Sequence, residues 1–343
     1  MDKIKIFYKN NNPIIAVPIG ESIYISYKAI KCFPSFTLKR KVYKLYLYMM
    51  ASLYYLLRYF PNEQKDYGIL SVWYKNFSDK RVDSKFYPVF IWSTIEGRQR
   101  YYVHILDIDG NKIYFVKITS NSEDYKLLKN EYKALTELQG RERFTYTSPK
   151  VIDFIENNIY CSLSVESLHS NYKLFHPEFH DLPEKLLNEI RGNIEILNIE
   201  EVYDCSWYKL AVLDEYNLMR EYTHSLKKDQ TVKIAFAHGD FGGENIFQDN
   251  TGKFNVIDWE RATKKAPIML DHIAFWLGKN HKNFRHNEDD TVNDFYLYFA
   301  NYEKLDIALA LIFLNSVNFD LSFFILKNWN LFDQYKEKNE NIF

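Results

Sequence analysis

The chain is 343 residues long, 47% hydrophobic and 26% charged, with a net charge of −1. That length can bury the cores of two lobes, and the composition excludes a disordered or fibrous protein. The three cysteines, Cys32, Cys161 and Cys205, are odd in number and lack metal-ligand spacing, so neither a disulfide framework nor a zinc motif is expected.

The opening "MDKIKIFYKNNNPII" has no continuous apolar core of the kind a secretory signal needs. The longest apolar run, Leu45 to Leu57, is too short to span a bilayer and is closed by Arg58. A cytoplasmic protein is expected. Charge is unevenly spread: residues 1–85 carry 15 Lys/Arg against 6 Asp/Glu, and the remainder carries 29 against 39. A basic, aromatic front joined to an acidic body suits an anionic partner for the front, a membrane surface or an anionic glycan; a plain solvated face suits it equally. Nothing beyond that bias points to nucleic acid.

In chain order, "IKIFYK", "PIIAVPI" and "SIYISY" read as short strands, followed by a helix from Thr37 to Tyr59 that Pro61 ends. The basic start and aromatic middle of that helix fit a membrane surface, and apolar residues around most of its circumference fit a packed helix. From Tyr87 the pattern becomes a three-strand meander: "YPVFIWST", a turn at Glu96-Gly97-Arg98, "RYYVHILDI", a turn at Asp109-Gly110-Asn111, and "KIYFVKI". A helix follows, with Ser122 as cap and Gly140 as stop, and "KVIDFIENNIYCSLSV" supplies two further strands. Beyond Glu166 the chain reads as mainly helical, interrupted by the stretch Ala235 to Glu260.

That stretch, "AFAHGDFGGENIFQDNTGKFNVIDWE", concentrates the chemistry. "NIFQ" and "FNVIDW" flank the turn sequence "DNTGK". Antiparallel pairing about Asn250–Thr251 sets Asn245 opposite Ile257, with Asp258 next to it. The loop from Asp240 to Asn245 feeds the hairpin, so Asp240, Asn245 and Asp258 gather in one region. A carboxylate and an amide oxygen are hard ligands for Mg²⁺ beside phosphates, and a second carboxylate can take the proton of an attacking hydroxyl. Singly, each residue could merely cap a turn or end a strand.

"HGDFGGEN" followed by "VIDWE" resembles the HGDxxxxN and IDxE signatures of the aminoglycoside phosphotransferase and choline kinase superfamily, small-molecule kinases with a protein-kinase-like fold. The resemblance implies Asp240 as catalytic base, Asn245 and Asp258 as magnesium ligands, and His238 as a buttress of the loop. "APIMLDHIAFWL" resembles the helix that follows in the family, with Asp271 in a structural place. The family also needs a phosphate-holding lysine and an acid to hold it. In "KIYFVKI" alternation puts Ile113, Phe115 and Lys117 on one face, where a terminal lysine either snorkels to solvent or pairs. Glu131 falls within the apolar stripe of Leu127, Leu128, Ala134, Leu135 and Leu138, where a carboxylate wants a cation or bends to the rim. Lys117 is its natural partner and the pair the family uses.

The expected fold class is therefore α+β and bilobal: an extension over 1–85, a small antiparallel-sheet lobe with one helix over 86–165, and a larger, mainly helical lobe over 166–343. The resemblance covers about 86–280. The turn with Gly97 is no glycine-rich loop, which leaves ATP against GTP open, and the arginines beside it, Arg98 and Arg100, are ordinary for an exposed turn. The expected activity is transfer of a γ-phosphate to a hydroxyl of a small molecule, a sugar or aminoglycoside-like polyol. A choline- or ethanolamine-type kinase is the alternative, and a non-catalytic nucleotide-binding module is a third reading that the presence of Lys117, Asp240, Asn245 and Asp258 argues against. A protein kinase would carry an Ala-Pro-Glu segment where "RATKKAPIMLD" stands.

Overall fold

The structure is a computed structural model. It describes residues 4–9, 12–19, 22–34, 38–57, 68–80, 85–93, 99–169, 171–176, 180–205, 207–209, 230–284 and 287–316, with 322, 325, 326, 329 and 332. The chain divides into two compact units, Met1–Gly140 with Pro149–Ser170, and Arg141–Ser148 with Asn171–Phe343.

The first unit is built on one antiparallel sheet. Its strands in sequence are β1 (Ile4–Lys9), β2 (Asn12–Pro18), β3 (Tyr87–Trp92), β4 (Arg100–Leu106) and β5 (Lys112–Thr119); then, after β6 (Tyr146–Thr147) of the second unit, β7 (Val151–Glu156) and β8 (Cys161–Glu166). The order across this seven-stranded sheet is β1-β2-β3-β4-β5-β8-β7. The first two strands thus continue the meander rather than standing apart from it, with Ile15 opposite Ile91 and Ala16 opposite Phe90. The Asp-Gly-Asn turn forms as expected: Asp107 Oδ1 accepts from the amides of Asp109 (2.9 Å) and Asn111 (2.8 Å), and Gly110 takes a φ of +73°. The turn at Glu96-Gly97-Arg98 lies outside the described residues, as do Thr37, Tyr59 and Pro61.

"SIYISY" is not a strand. It opens the helix α1 (Ile23–Lys31), where Ser22 Oγ accepts from the Ile25 amide at 3.1 Å. Its buried residues are Ile25, Ser26, Ala29 and Ile30, at helical spacing, and Ser26 Oγ donates to the Pro18 carbonyl at 2.6 Å. Six residues of alternation fit either period, and packing against β2 decides for the helix. The helix α2 (Leu38–Leu56) falls within the expected span. A third helix, α3 (Ile69–Asp79), was not anticipated, although Leu70, Trp73 and Phe77 mark its buried side at intervals of three and four.

Strand alternation assigns the two faces of the sheet. Ile15, Val17, Val89 and Ile91 pack with α1 and α2, whereas Ala16, Phe90, Val103 and Ile105 pack with α3. The helix α4 (Ser122–Gln139) follows β5 and ends at Gly140. Its cap is Asn121, not Ser122: the Asn121 Oδ1 accepts from the Glu123 amide at 3.0 Å, and Ser122 is already helical.

The second unit carries the helices α5 (Glu184–Arg191), α6 (Ile199–Tyr203), α7 (Leu270–Phe284), α8 (Glu288–Phe299) and α9 (Lys304–Ser316). Its strands are more numerous than expected. β9 (Lys173–Leu174), β12 (Ile246–Gln248) and β13 (Phe254–Val256) join β6 in the order β6-β13-β12-β9, and β10 (Glu195–Asn198), β11 (Thr231–Ala237) and β14 (Thr263–Pro267) form a sheet of their own. Residues of α7, α8 and α9 bury against β11 and β14 in one core that includes Phe295, Phe299 and Leu311.

Candidate active site

The site of the second unit grows from the end of β11. There His238 and Gly239 turn the chain, and their amides donate to Asp271 Oδ2 (2.7 Å) and Oδ1 (2.9 Å). Asp271 stands in the first turn of α7, so one carboxylate pins the loop to the helix. Burial pushes its carboxyl above the ordinary aspartate range, while His238, the two amides and Arg191 hold it back.

Gly239 has no alternative at its place. Its φ is +79°, and a Cβ there would lie 2.3 Å from the Arg261 carbonyl oxygen and 2.9 Å from its carbon. The loop and the segment after β13 therefore meet backbone to backbone. The His238 ring, fully buried, locks the same junction. Its Nδ1 accepts from the Asp240 amide at 3.2 Å and its Nε2 lies 2.8 Å from the Ile257 carbonyl, a pattern that assigns the proton to Nε2. Trp259 supports the ring face at 4.5 Å between centroids and donates its indole N–H to the Val256 carbonyl at 2.8 Å.

The hairpin forms in the register expected: Ile246 opposite Val256, Phe247 opposite Asn255 and Gln248 opposite Phe254. The Ile257 amide donates to the Asn245 carbonyl at 3.0 Å, which sets Asp258 one residue beyond Asn245's partner. Asn245 Nδ2 donates to the Asp240 carbonyl at 2.9 Å, so the amide oxygen is the end left to meet a cation. Asp258 is the one non-glycine with positive φ among the described residues (φ 63°, ψ 56°). Left-handed backbone costs a non-glycine on the order of 1 kcal/mol, and such strain concentrates at functional sites.

Asp240 is partly buried, and burial raises its carboxyl. His238 and Arg261 oppose that rise, whereas Asp258 and Glu260 add to it. A carboxylate with raised proton affinity is a better general base than an ordinary aspartate. Glu260 joins the candidates named from the sequence. It is buried, and its carboxylate oxygens come within 4.8 Å of those of Asp258. The signal was there, since two carboxylates two positions apart bracket the buried Trp259. Asp258, Glu260 and the Asn245 amide are all hard oxygen donors, a set that fits Mg²⁺.

In the first unit Lys117 lies on β5 between Tyr102 of β4 and Leu163 of β8, in mid-sheet. Its Nζ donates to Glu131 Oε2 at 2.7 Å, with both side chains almost wholly buried. The lysine pairs rather than snorkels, and the carboxylate in the apolar stripe of α4 has its cation. A second buried pair holds the start of the same helix: Arg100 Nη2 donates to Asp124 Oδ1 at 2.7 Å, with side chains 1% and 9% exposed. Arg100 therefore works inside the lobe.

No family model and no curated protein matches the chain. Solved structures that resemble it include choline kinase LicA from Streptococcus pneumoniae (13% identity, 78% of this chain and 99% of that one, TM-score 0.42). An aminoglycoside phosphotransferase from Streptomyces rimosus in complex with ADP and streptomycin is another (13%, 78% and 98%, TM-score 0.40). A Plasmodium vivax ethanolamine kinase covers 85% of this chain with 90% of its own (14%, TM-score 0.39). At such identities and TM-scores these structures lend no weight to a chemical assignment, which rests on the side chains themselves.

Proposed function

We propose that the protein is a small-molecule kinase that moves the γ-phosphate of ATP or GTP to a hydroxyl of a sugar or aminoglycoside-like polyol. The observation that carries the reading is the gathering of Asp240, Asn245 and Asp258 by one loop and one hairpin, with burial and neighbouring carboxylates raising Asp240. In this reading Asp240 orients the acceptor hydroxyl and takes its proton as the oxygen attacks phosphorus. Asn245 and Asp258 hold Mg²⁺, with Glu260 beside them. Mg²⁺, when bound, supplies charge neutralisation on the phosphate oxygens. Lys117, held by Glu131, orients the phosphates of the nucleotide. His238 and Asp271 keep the Asp240 loop in place and do not touch the reactants.

The same reading takes residues 1–85 as an extension with an anionic partner and the remainder, 86–165 and 166–343, as the kinase-like lobes of a cytoplasmic enzyme. The excess of acidic residues after 85 supports a cationic acceptor of the aminoglycoside kind. The test is transfer of label from γ-labelled ATP and GTP, with Mg²⁺, to a panel of aminoglycosides, amino alcohols, simple sugars and glycan precursors. Label should enter one acceptor class, vanish with Asp240→Ala, and leave nucleotide binding intact in that variant. Normal turnover by Asp240→Ala would overturn the roles assigned here, and an absence of nucleotide binding would overturn the kinase reading.

A further inference from the structure

The helix α2 is apolar on the wrong side. Leu47 and Ala51 are fully buried against α1 and the sheet, and Lys44 Nζ donates to the carbonyls of Lys31 (3.1 Å) and Phe33 (3.0 Å), so the helix is anchored from behind. Its opposite side carries Leu38, Val42, Leu45, Met49, Leu53 and Leu56, at intervals of four and three, all between 43% and 79% exposed. These positions fall on one stripe along the helix, about 28 Å long at 1.5 Å per residue. A soluble surface helix ordinarily turns charge outward, and a contiguous apolar stripe of this length marks a contact surface.

Charge identifies the partner. Between Ser22 and Asn62 the sequence has seven Lys/Arg and no Asp or Glu. Lys39 and Lys41 are exposed in the first turn of α2, beside the start of the stripe. A second copy of the same helix would offer these lysines no carboxylate. An anionic lipid surface offers both things the helix lacks, an apolar layer for the stripe and negative headgroups for the lysines. No helix among the described residues is long and apolar enough to cross a membrane, so the mode is lying on the surface. We infer that α2 docks the protein on an anionic lipid bilayer, with the leucine and methionine stripe in the interfacial layer and Lys39 and Lys41 among the headgroups.

The inference rests on the anionic partner read for residues 1–85 and not on the transfer chemistry, and its test needs no activity. The full chain is sedimented with vesicles of phosphatidylcholine alone and of phosphatidylcholine with phosphatidylglycerol in equal parts. Binding is expected to the mixed vesicles and to fall steeply as salt rises. Lys39→Gln with Lys41→Gln should weaken it about 25-fold, from about fivefold per basic residue near such a surface. Leu45→Gln, Met49→Gln and Leu56→Gln together should weaken it at least about tenfold. All five positions are exposed, so the variants should keep the wild-type melting temperature. No binding of the wild-type chain to mixed vesicles would overturn the inference. So would undiminished binding by the triple variant, or a concentration-dependent dimer in sedimentation that the triple variant dissolves, which would make the stripe a contact between copies.

Discussion

Gly239→Ala tests the geometry of the loop with one carbon atom. The added Cβ would sit 2.3 Å from the Arg261 carbonyl oxygen, where an ordinary contact begins at 3.4 Å, so one backbone must retreat by about 1 Å. Neither can do so freely. Asp271 holds the Gly239 amide, and His238 ties the next residue to Ile257. Left-handed backbone costs alanine about 1–2 kcal/mol, and overpacking against fixed neighbours costs about 1–3 kcal/mol. The expected loss is about 2–5 kcal/mol, a lowering of the urea midpoint by about 1–2 M. Gly242→Ala is the control, because nothing lies within 4 Å of its would-be Cβ and its φ is ordinary. It should stay within about 0.5 kcal/mol of wild type. Equal midpoints for the two variants would refute the backbone-to-backbone junction and the fixed placement of Asp240 that follows from it.

Burial raises Asp240, so the folded chain binds a proton there more tightly than the unfolded chain does, and this contribution to stability is present in acid and lost as pH rises through the folded value. Asp240→Asn should therefore remove that loss, which sets in as pH rises above the ordinary aspartate range, and melt above wild type at pH 7, while turnover disappears. Asp258→Gly and Asp258→Ala should both weaken Mg²⁺-dependent nucleotide binding in titration calorimetry. In thermal melts, however, the glycine variant should be the more stable by about 1 kcal/mol, because only glycine takes a φ of 63° without strain. Asp124→Ala removes the carboxylate of a buried pair and should destabilise the chain by about 3 kcal/mol in urea unfolding. It should also raise the KM for nucleotide by loosening the helix that carries Glu131.

The site was more legible than the scaffold around it. "DNTGK" is a turn by local chemistry alone, so the register that brings Asn245 next to Asp258 follows by counting. Glu131 was legible as an exception, a carboxylate inside an apolar stripe. Arg100 with Asp124 was not, because the pair joins a strand to a helix that approach only in the folded sheet. "SIYISY" misled because Ser26 and Ile25 are both buried, which erases the difference between a two-residue and a 3.6-residue period. The strands β9 and β14 are short and polar in part, and pairing rather than propensity makes them strands.

The pairing of β2 with β3 spans a long gap in the chain, since Ile15 meets Ile91. A ribosome adding about 5–20 residues per second takes about 4–15 s to cover that interval. Counted from the end of α2 at Leu56 the wait is about 2–7 s, during which the first hairpin, α1 and α2 lack the strand on which they close. An open strand edge and the apolar side of α2 are then presented together at the ribosome surface. The order of synthesis thus exposes the apolar side of α2 before the second unit exists.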